Sequence, residues 1–209
     1  SISEKEALVD FVKPFDLAKA PLVRMKVLKR KEDYLLFYDM HHLVGDGVSM
    51  ANFVKELGQL YNGNDLPDME LQYKDYSEWL RCQDMSGQEK YWMEQFADSI
   101  PVLDIPTDYK RPMVQSYEGS KVENLLDEQT TRNIQSFVNQ NGVTAYMLFL
   151  ASAMILLGKY SRQDDIVIGS AISGRIQKET ESMLGMFVNT LAMRGKPEKI
   201  THLCSCLVK

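Results

Sequence analysis

The hydrophobic pattern changes its period around residue 41, and this change constrains the fold more than any other feature. Over Tyr34–His41 successive residues alternate between two faces, as in a β-strand. From Val48 to Tyr61 the apolar residues recur at helical spacing. The segment between these two patterns reads His41-His42-Leu43-Val44-Gly45-Asp46-Gly47. The sequence therefore places two histidines and an aspartate where a strand ends and a helix begins.

The rest of the chain mixes strand-like and helix-like segments. Strands are predicted at Leu22–Leu28, Lys121–Leu126, Asp165–Ile172 and Met186–Arg194, and helices around Tyr73–Phe96, over Asp127–Asn141 and after Thr144. The helix after Thr144 is apolar on nearly all sides, so we expect it to be buried. This order predicts an α/β or α+β sandwich in two lobes. We assign residues 1–98 to the first lobe, and residues 99–209, beginning with a linker at Ile100–Pro112, to the second.

Composition excludes several classes of protein. The net charge of −5 leaves no basic excess for neutralising phosphates, so no nucleic-acid partner is expected. The longest apolar stretch, Ala145–Leu157, is shorter than the roughly 18–20 residues that span a bilayer, so no membrane association is expected. Cys82, Cys204 and Cys206 form neither a CxxC pair nor a cluster with histidine, which argues against a disulfide framework or structural zinc. Because the chain also starts without an apolar signal-peptide core, we expect a cytoplasmic protein.

The histidine pair alone allows three interpretations. The two rings could be satisfied polar residues of the core. They could ligate a metal, but neighbouring strand residues point to opposite faces, so His41 and His42 are not expected to chelate together and no metal site is predicted. One histidine could instead perform acid–base or positioning chemistry, with Asp46 as a structural anchor.

Several motifs along the chain then point to one family. The block HHLVGDG resembles the HHxxxDG signature of the condensation domains of nonribosomal peptide synthetases, which are related in fold to chloramphenicol acetyltransferase. Further segments are similar to that family's motifs in the same order: Pro14–Leu17 with Ala20–Leu22, Tyr73–Trp79, Tyr91-Trp92, Ile105–Pro112, Ile168–Arg175 and Met183–Leu191. The resemblance covers the chain from Phe11 to Arg194 and implies a two-lobed chloramphenicol acetyltransferase-like fold.

The resemblance also implies an activity and a set of site residues. The activity is amide bond formation between an acyl or peptidyl thioester donor and an aminoacyl acceptor. His42 is the implied catalytic residue, as a base or as a group that positions the amine, with His41, Asp46 and Gly47 in support. Gly45, Arg175 and Asn189 are candidates for lining a substrate tunnel or ordering loops, although the two glycines are equally well explained as turn formers. The implied partner of Asp46 is an arginine nearer the N-terminus, in a region that this sequence does not include, and Arg24 is a poor substitute for it.

The implied substrates are tethered rather than free. They would be carried on the phosphopantetheine arms of upstream and downstream peptidyl carrier domains, with an adenylation domain as neighbour and no cofactor bound by this chain. Two alternatives stay open: an epimerization-type domain acting on a carrier-bound residue, and a non-catalytic module that docks carriers. The motifs at Tyr73–Trp79 and Ile105–Pro112 favour condensation over epimerization.

The family's domain is longer than this chain at both ends, which implies an incomplete fold here. The segment Lys199–Lys209 departs from the family's pattern and is interpreted as an incomplete helix or an early chain end. We therefore expect the isolated chain to be inactive, whereas the longer domain condenses carrier-bound substrates.

Overall fold

The computed structural model describes residues 3–196. Its helices are α1 (Glu4–Phe11), α2 (Gly47–Tyr61), α3 (Tyr73–Arg81), α4 (Ser86–Gln95), α5 (Glu128–Asn141) and α6 (Ala145–Ser161), and Lys178–Thr180 forms a short 3₁₀ helix. Its strands are β1 (Val23–Lys29), β2 (Tyr34–Met40), β3 (Ile166–Ile172) and β4 (Asn189–Gly195). The predicted mixture of helices and strands is confirmed. Lys199–Lys209, with Cys204 and Cys206, lies outside the described residues.

The described residues group into two compact units. The first comprises residues 3–87 together with residues 171–189, and the second comprises residues 88–170 with residues 190–196. These units group the chain differently from the lobes assigned at residues 1–98 and 99–209, and the assignment of lobes stays a prediction.

The first unit is built around a hairpin covered by a helix. Strands β1 and β2 pair antiparallel, with Val23 opposite Met40 and Lys29 opposite Tyr34. Helix α1 buries Ala7 and Phe11 against Phe37 of β2, and the two phenylalanine rings lie 5.6 Å apart. This small apolar core holds β2, and therefore the end of β2 from which the histidines follow.

The second unit contains most of α4, the helices α5 and α6, and most of the two-stranded sheet of β3 and β4. Helix α5 ends at Gly142, whose φ of 64° is left-handed, and Thr144 caps α6 by accepting a hydrogen bond from the Met147 amide. Within residues 3–196, no single helix is long and apolar enough to cross a bilayer; α5 and α6 reach that length and composition only as a pair, which is bent by 103° at its break.

The expected complete burial of α6 is wrong. Ala151, Met154 and Gly158 are buried, but Phe149 and Leu156 on the other side are more than half exposed. The other described elements of this unit leave that side of α6 uncovered. Helix α6 therefore packs through one side only, although its composition would allow burial on nearly all sides.

The strand predicted at Lys121–Leu126 is also not formed. The chain from the end of α4 to the start of α5 has neither helix nor strand, and Val122 and Leu125 are 85% and 100% exposed. A strand is stable only when a neighbour accepts its backbone hydrogen bonds, and within residues 3–196 this segment pairs with none. Residues 100–112 also form neither helix nor strand, and their expected place as a linker between two lobes stays a prediction.

Candidate functional site

The two histidines follow β2 in a tight turn. The His41 amide donates to the Leu22 carbonyl at 3.0 Å, which continues the hairpin by one bond. The Val44 amide then donates to the His41 carbonyl at 3.0 Å, so that His42 and Leu43 occupy the two central positions of the turn. His41 is partly buried and His42 is exposed.

The ring of His42 is held by one backbone carbonyl. Its Nδ1 lies 2.8 Å from the carbonyl oxygen of Gly45. A carbonyl can only accept, so Nδ1 is the donor, and in the neutral ring Nε2 then carries the free lone pair. The arrangement leaves Nε2 able to accept a proton or a hydrogen bond from a substrate.

The Nδ1 atom of His41 accepts a hydrogen bond, whereas the Nδ1 atom of His42 donates one. The donor to His41 Nδ1 is the Leu43 amide at 3.1 Å, and the His41 ring meets Phe15 edge to face with 5.9 Å between ring centroids. Both imidazoles are thus engaged with nearby backbone through Nδ1. Within residues 3–196 no group of three or more histidine, cysteine, aspartate and glutamate side chains is arranged to hold a metal ion.

Asp46 links this turn to helix α2. It is the N-cap of the helix and is only 3% exposed. Its Oδ1 accepts from the Ser49 amide at 2.8 Å and from the Ser49 hydroxyl at 2.9 Å, while its Oδ2 accepts from the Phe187 amide at 3.2 Å. Such caps satisfy amides that the first helical turn leaves unpaired.

The fourth donor to the Asp46 carboxylate is Arg175, which lies just after β3. A terminal nitrogen of the guanidinium is 2.9 Å from Asp46 Oδ1, and the two side chains are 4% and 1% exposed. Arg175 also donates to the carbonyls of Thr180 and Met183, and its guanidinium lies 4.0 Å from the centre of the Phe187 ring. The charges are thus paired and hydrogen-bonded, as buried charges require.

The structure agrees that Arg24 is a poor substitute for the N-terminal arginine implied as the partner of Asp46. Arg24 pairs with Asp39 instead, at 2.9 Å between Nε and Oδ2. The partner comes from 129 residues beyond Asp46, a distance in sequence that local patterns do not reveal. Arg175, predicted only as a tunnel or loop residue, orders the loop that follows it and also neutralises Asp46.

The surroundings act on the pKa of Asp46 in opposite directions. Burial raises the pKa, but hydrogen bonds from the Ser49 amide, from Arg175, from the Ser49 hydroxyl and from the Phe187 amide outweigh it and hold the pKa at about 2. The carboxylate is therefore ionised at neutral pH.

Ser49 is a member of this network that the sequence analysis missed. It is fully buried, and besides its bonds to Asp46 its hydroxyl lies 2.9 Å from a nitrogen of Arg175, 2.8 Å from the Gly185 carbonyl and 3.0 Å from the Gly185 amide. One signal could have found it. Ser49 precedes Phe53 by four residues and so shares the apolar face of α2, where a polar side chain needs a partner.

The remaining predicted site residues lie nearby but differ in their surroundings. Gly45 is buried, and a Cβ there would lie 2.7 Å from the Met40 sulfur, so the space is already filled. Gly47 begins α2, and no atom lies within 4 Å of where its Cβ would be. Asn189 is exposed at the first residue of β4. The contributions of all three residues to a site stay predictions.

An open recess of about 450 Å³ lies beside both histidines. The loop at residues 12–17 forms one side of it, with Phe15 among its members, and the end of β2 forms the other. The exposed ring of His42 can therefore be reached by a bound molecule.

The mixed α/β chain, with its histidine turn braced by a buried aspartate–arginine pair, has the chloramphenicol acetyltransferase-like fold. Residues 2–208 match the sequence model of the Condensation domain, so the chain belongs to the condensation-domain family of nonribosomal peptide synthetases. The chain is 46% identical over 204 residues to gramicidin S synthase 2 of Brevibacillus brevis and 45% identical over 201 residues to bacitracin synthase 1 of Bacillus licheniformis. These matches cover 95% and 94% of this chain but only 5% and 4% of the relatives.

Solved structures agree with this assignment. A four-domain nonribosomal peptide synthetase bound to AMP and glycine matches 93% of this chain with a TM-score of 0.77 at 25% identity, over 16% of its own length. The X-domain from teicoplanin biosynthesis matches 97% with a TM-score of 0.82 at 22% identity, over 50% of its length, which supports the fold alone. The chain therefore spans half or less of the chains that it resembles.

Proposed function

We propose that this chain supplies the reaction centre for amide bond formation between a carrier-bound acyl or peptidyl thioester and a carrier-bound aminoacyl group. The single observation that carries the proposal is the His42 ring, whose Nδ1 is bonded to the Gly45 carbonyl at 2.8 Å. Its Nε2 is thereby the acceptor, on an exposed side chain beside an open recess.

The chemistry asks for orientation and for one proton acceptor. An α-amino group has a pKa of about 7.7–8.0, so roughly a tenth of it is neutral at pH 7 and producing the nucleophile costs only about 1.4 kcal/mol. The amine nitrogen forms a bond to the thioester carbonyl carbon, the carbon–sulfur bond breaks, and the proton lost from nitrogen ends on the released thiol. His42 Nε2 can take that proton and return it to sulfur, an assistance typically worth about 10²–10⁴-fold.

Asp46 and Arg175 support this step without touching the substrate. Their charges are buried and paired with each other at 2.9 Å, so neither is available for proton transfer. Asp46 caps α2 immediately after the turn that carries His42. The pair therefore fixes the backbone on one side of the histidine, and His41 fixes it on the other.

Membership of the family supports a proposal for the substrates and partners. We propose that both reactants arrive on the phosphopantetheine arms of upstream and downstream peptidyl carrier domains, and that an adenylation domain lies nearby in the same assembly. The relatives that support this are synthetases of which the chain spans about 5% of the length. The chain itself would hold no cofactor.

The test is the identity of the product. The full-length native protein is supplied with donor and acceptor loaded on carriers, and the carrier-bound products are released and analysed by mass spectrometry and chiral chromatography. Appearance of the amide, with the acceptor carrier holding the lengthened chain, is the expected result. Inverted stereochemistry without amide formation would assign an epimerization activity instead, and carrier binding without any turnover would assign a docking module.

A further inference from the structure

We propose that His41 is a positioning residue whose Nδ1 fixes the turn that presents His42 to the substrates. The inference rests on the proposed function, because it concerns the geometry of the same reaction centre. It assigns to the first histidine of the pair a definite accepting atom, Nδ1, and a definite donor, the Leu43 amide, rather than a general supporting contribution.

Three hydrogen bonds of His41 enclose His42. Its amide is bonded to the Leu22 carbonyl at 3.0 Å, and its carbonyl accepts from the Val44 amide at 3.0 Å. Its side chain accepts from the Leu43 amide at 3.1 Å. The peptide group before His42 is therefore held through the His41 carbonyl, and the peptide group after His42 is held by the His41 ring.

The side-chain bond has the form of an Asx-turn. In such a turn an aspartate or asparagine oxygen accepts from the amide two residues further along the chain. His41 Nδ1 occupies the position of that oxygen, separated from Cβ by the same number of bonds. Because Nδ1 accepts here, the neutral His41 ring carries its proton on Nε2, whereas His42 carries its proton on Nδ1.

The consequence for catalysis is geometric. His42 stands at a corner of the turn, so rotation of the Leu43 peptide would move the His42 ring and its bond to Gly45. A displacement of about 1 Å at a reacting group can cost on the order of 100-fold in rate. Loss of the Leu43 bond should therefore appear in kcat, since the ground-state binding of the acceptor does not depend on it.

A matched pair of variants isolates this bond. His41→Asn keeps an acceptor oxygen where Nδ1 stood, and His41→Gln places it one bond further from the backbone. Both variants lose the edge contact with Phe15, so any effect of that contact is common to the two. In the full-length native protein we expect the kcat of His41→Asn to stay within about threefold of the parent and that of His41→Gln to fall at least about tenfold, with the acceptor KM little changed.

Thermal unfolding of each variant serves as the folding control. If His41→Gln does not fold, His41→Asp, which also keeps the acceptor, is compared with His41→Ala and is expected to retain the higher kcat. Equal kcat values for the Asn and Gln variants would overturn the proposal, as would equal values for the Asp and Ala variants. Failure of the proposed function is seen separately, as a parent-like rate in His42→Ala.

Discussion

Asp46 shows at the level of one residue how a buried charge is kept in its ionised form. Removal from water alone would favour the neutral acid, yet donors from Ser49, Phe187 and Arg175 surround the carboxylate. The sequence predicted that this aspartate would need a partner, because a buried carboxylate must be paired. It did not predict which one, since Arg175 lies 129 residues away.

This environment predicts a defined dependence of stability on pH. The pKa of Asp46 is lowered from 3.8 to about 2 in the folded chain, so its contribution is present above about pH 4 and is lost as the pH falls through 2. That difference corresponds to roughly 2–3 kcal/mol. Asp46→Asn should therefore lower the free energy of unfolding at pH 7 by about 3 kcal/mol or more, since it also leaves Arg175 buried without its counter-ion.

Urea unfolding of the parent and Asp46→Asn at a series of pH values checks this prediction. The difference between the two proteins should shrink between pH 4 and pH 2. A difference in the free energy of unfolding that stays constant from pH 4 to pH 2 would contradict the lowered pKa of Asp46.

Gly174 makes a second prediction at the residue scale. Its φ of 65° is left-handed, and a Cβ there would overlap the carbonyl of Phe187. Because that carbonyl belongs to the backbone, it cannot rotate away as a side chain could. Gly174→Ala should lower the free energy of unfolding by more than about 2 kcal/mol.

Gly47→Ala is the matched control for that variant. Gly47 begins a helix, and nothing lies within 4 Å of its missing Cβ. Its stability should be unchanged or slightly raised, because alanine is the better helix former by up to about 1 kcal/mol. Equal stabilities of the two variants in urea unfolding would show that the close approach of Gly174 to the Phe187 carbonyl does not affect stability.

At the scale of elements, the sequence predicted the helices whose ends are marked by capping residues. A left-handed Gly142 caps the end of α5 and Thr144 caps the start of α6, as expected from the glycine and threonine in the sequence. The strand expected at Lys121–Leu126 is not formed. A strand depends on a neighbouring strand to pair with, and its own residues do not specify that neighbour. The burial of α6 was overestimated for a related reason, since composition indicates what can be buried but not what covers it.

Helix α2 gives a prediction at this scale, because Ser49 joins its first turn to the Gly185 backbone. Ser49→Ala would leave the Gly185 amide without its bond at 3.0 Å and remove a donor to Asp46. We expect a loss of about 1–3 kcal/mol in the free energy of unfolding.

The exposed Ser152 of α6 is the control for Ser49. Its hydroxyl also bonds to a backbone carbonyl, that of Leu148 at 2.8 Å, but water can replace that bond. Ser152→Ala should stay within about 0.5 kcal/mol of the parent. Urea unfolding of both variants measures the two free energies of unfolding. A Ser49→Ala protein as stable as Ser152→Ala would show that the hydrogen bonds of Ser49 do not stabilise the fold.

At the scale of the whole molecule, the candidate site depends on segments distant in sequence. Residues 171–189 join residues 3–87 in one compact unit, and they supply Arg175, Gly185 and Phe187 to the network around Asp46. The HHLVGDG block therefore placed His42 and Asp46 correctly at the junction of strand and helix, whereas the residues that hold Asp46 required the structure. The catalytic assignment of His42 stays a prediction.

The rate of amide formation by a His42→Ala variant tests the central claim most directly. Single-turnover transfer between loaded carriers is measured for the full-length native protein, for His42→Ala and for Leu43→Ala, which alters an exposed side chain in the same turn but keeps its amide. We predict that His42→Ala loses about 10²–10⁴-fold in rate while Leu43→Ala stays close to the parent. A His42→Ala protein that forms the amide at the parent's rate would contradict the account.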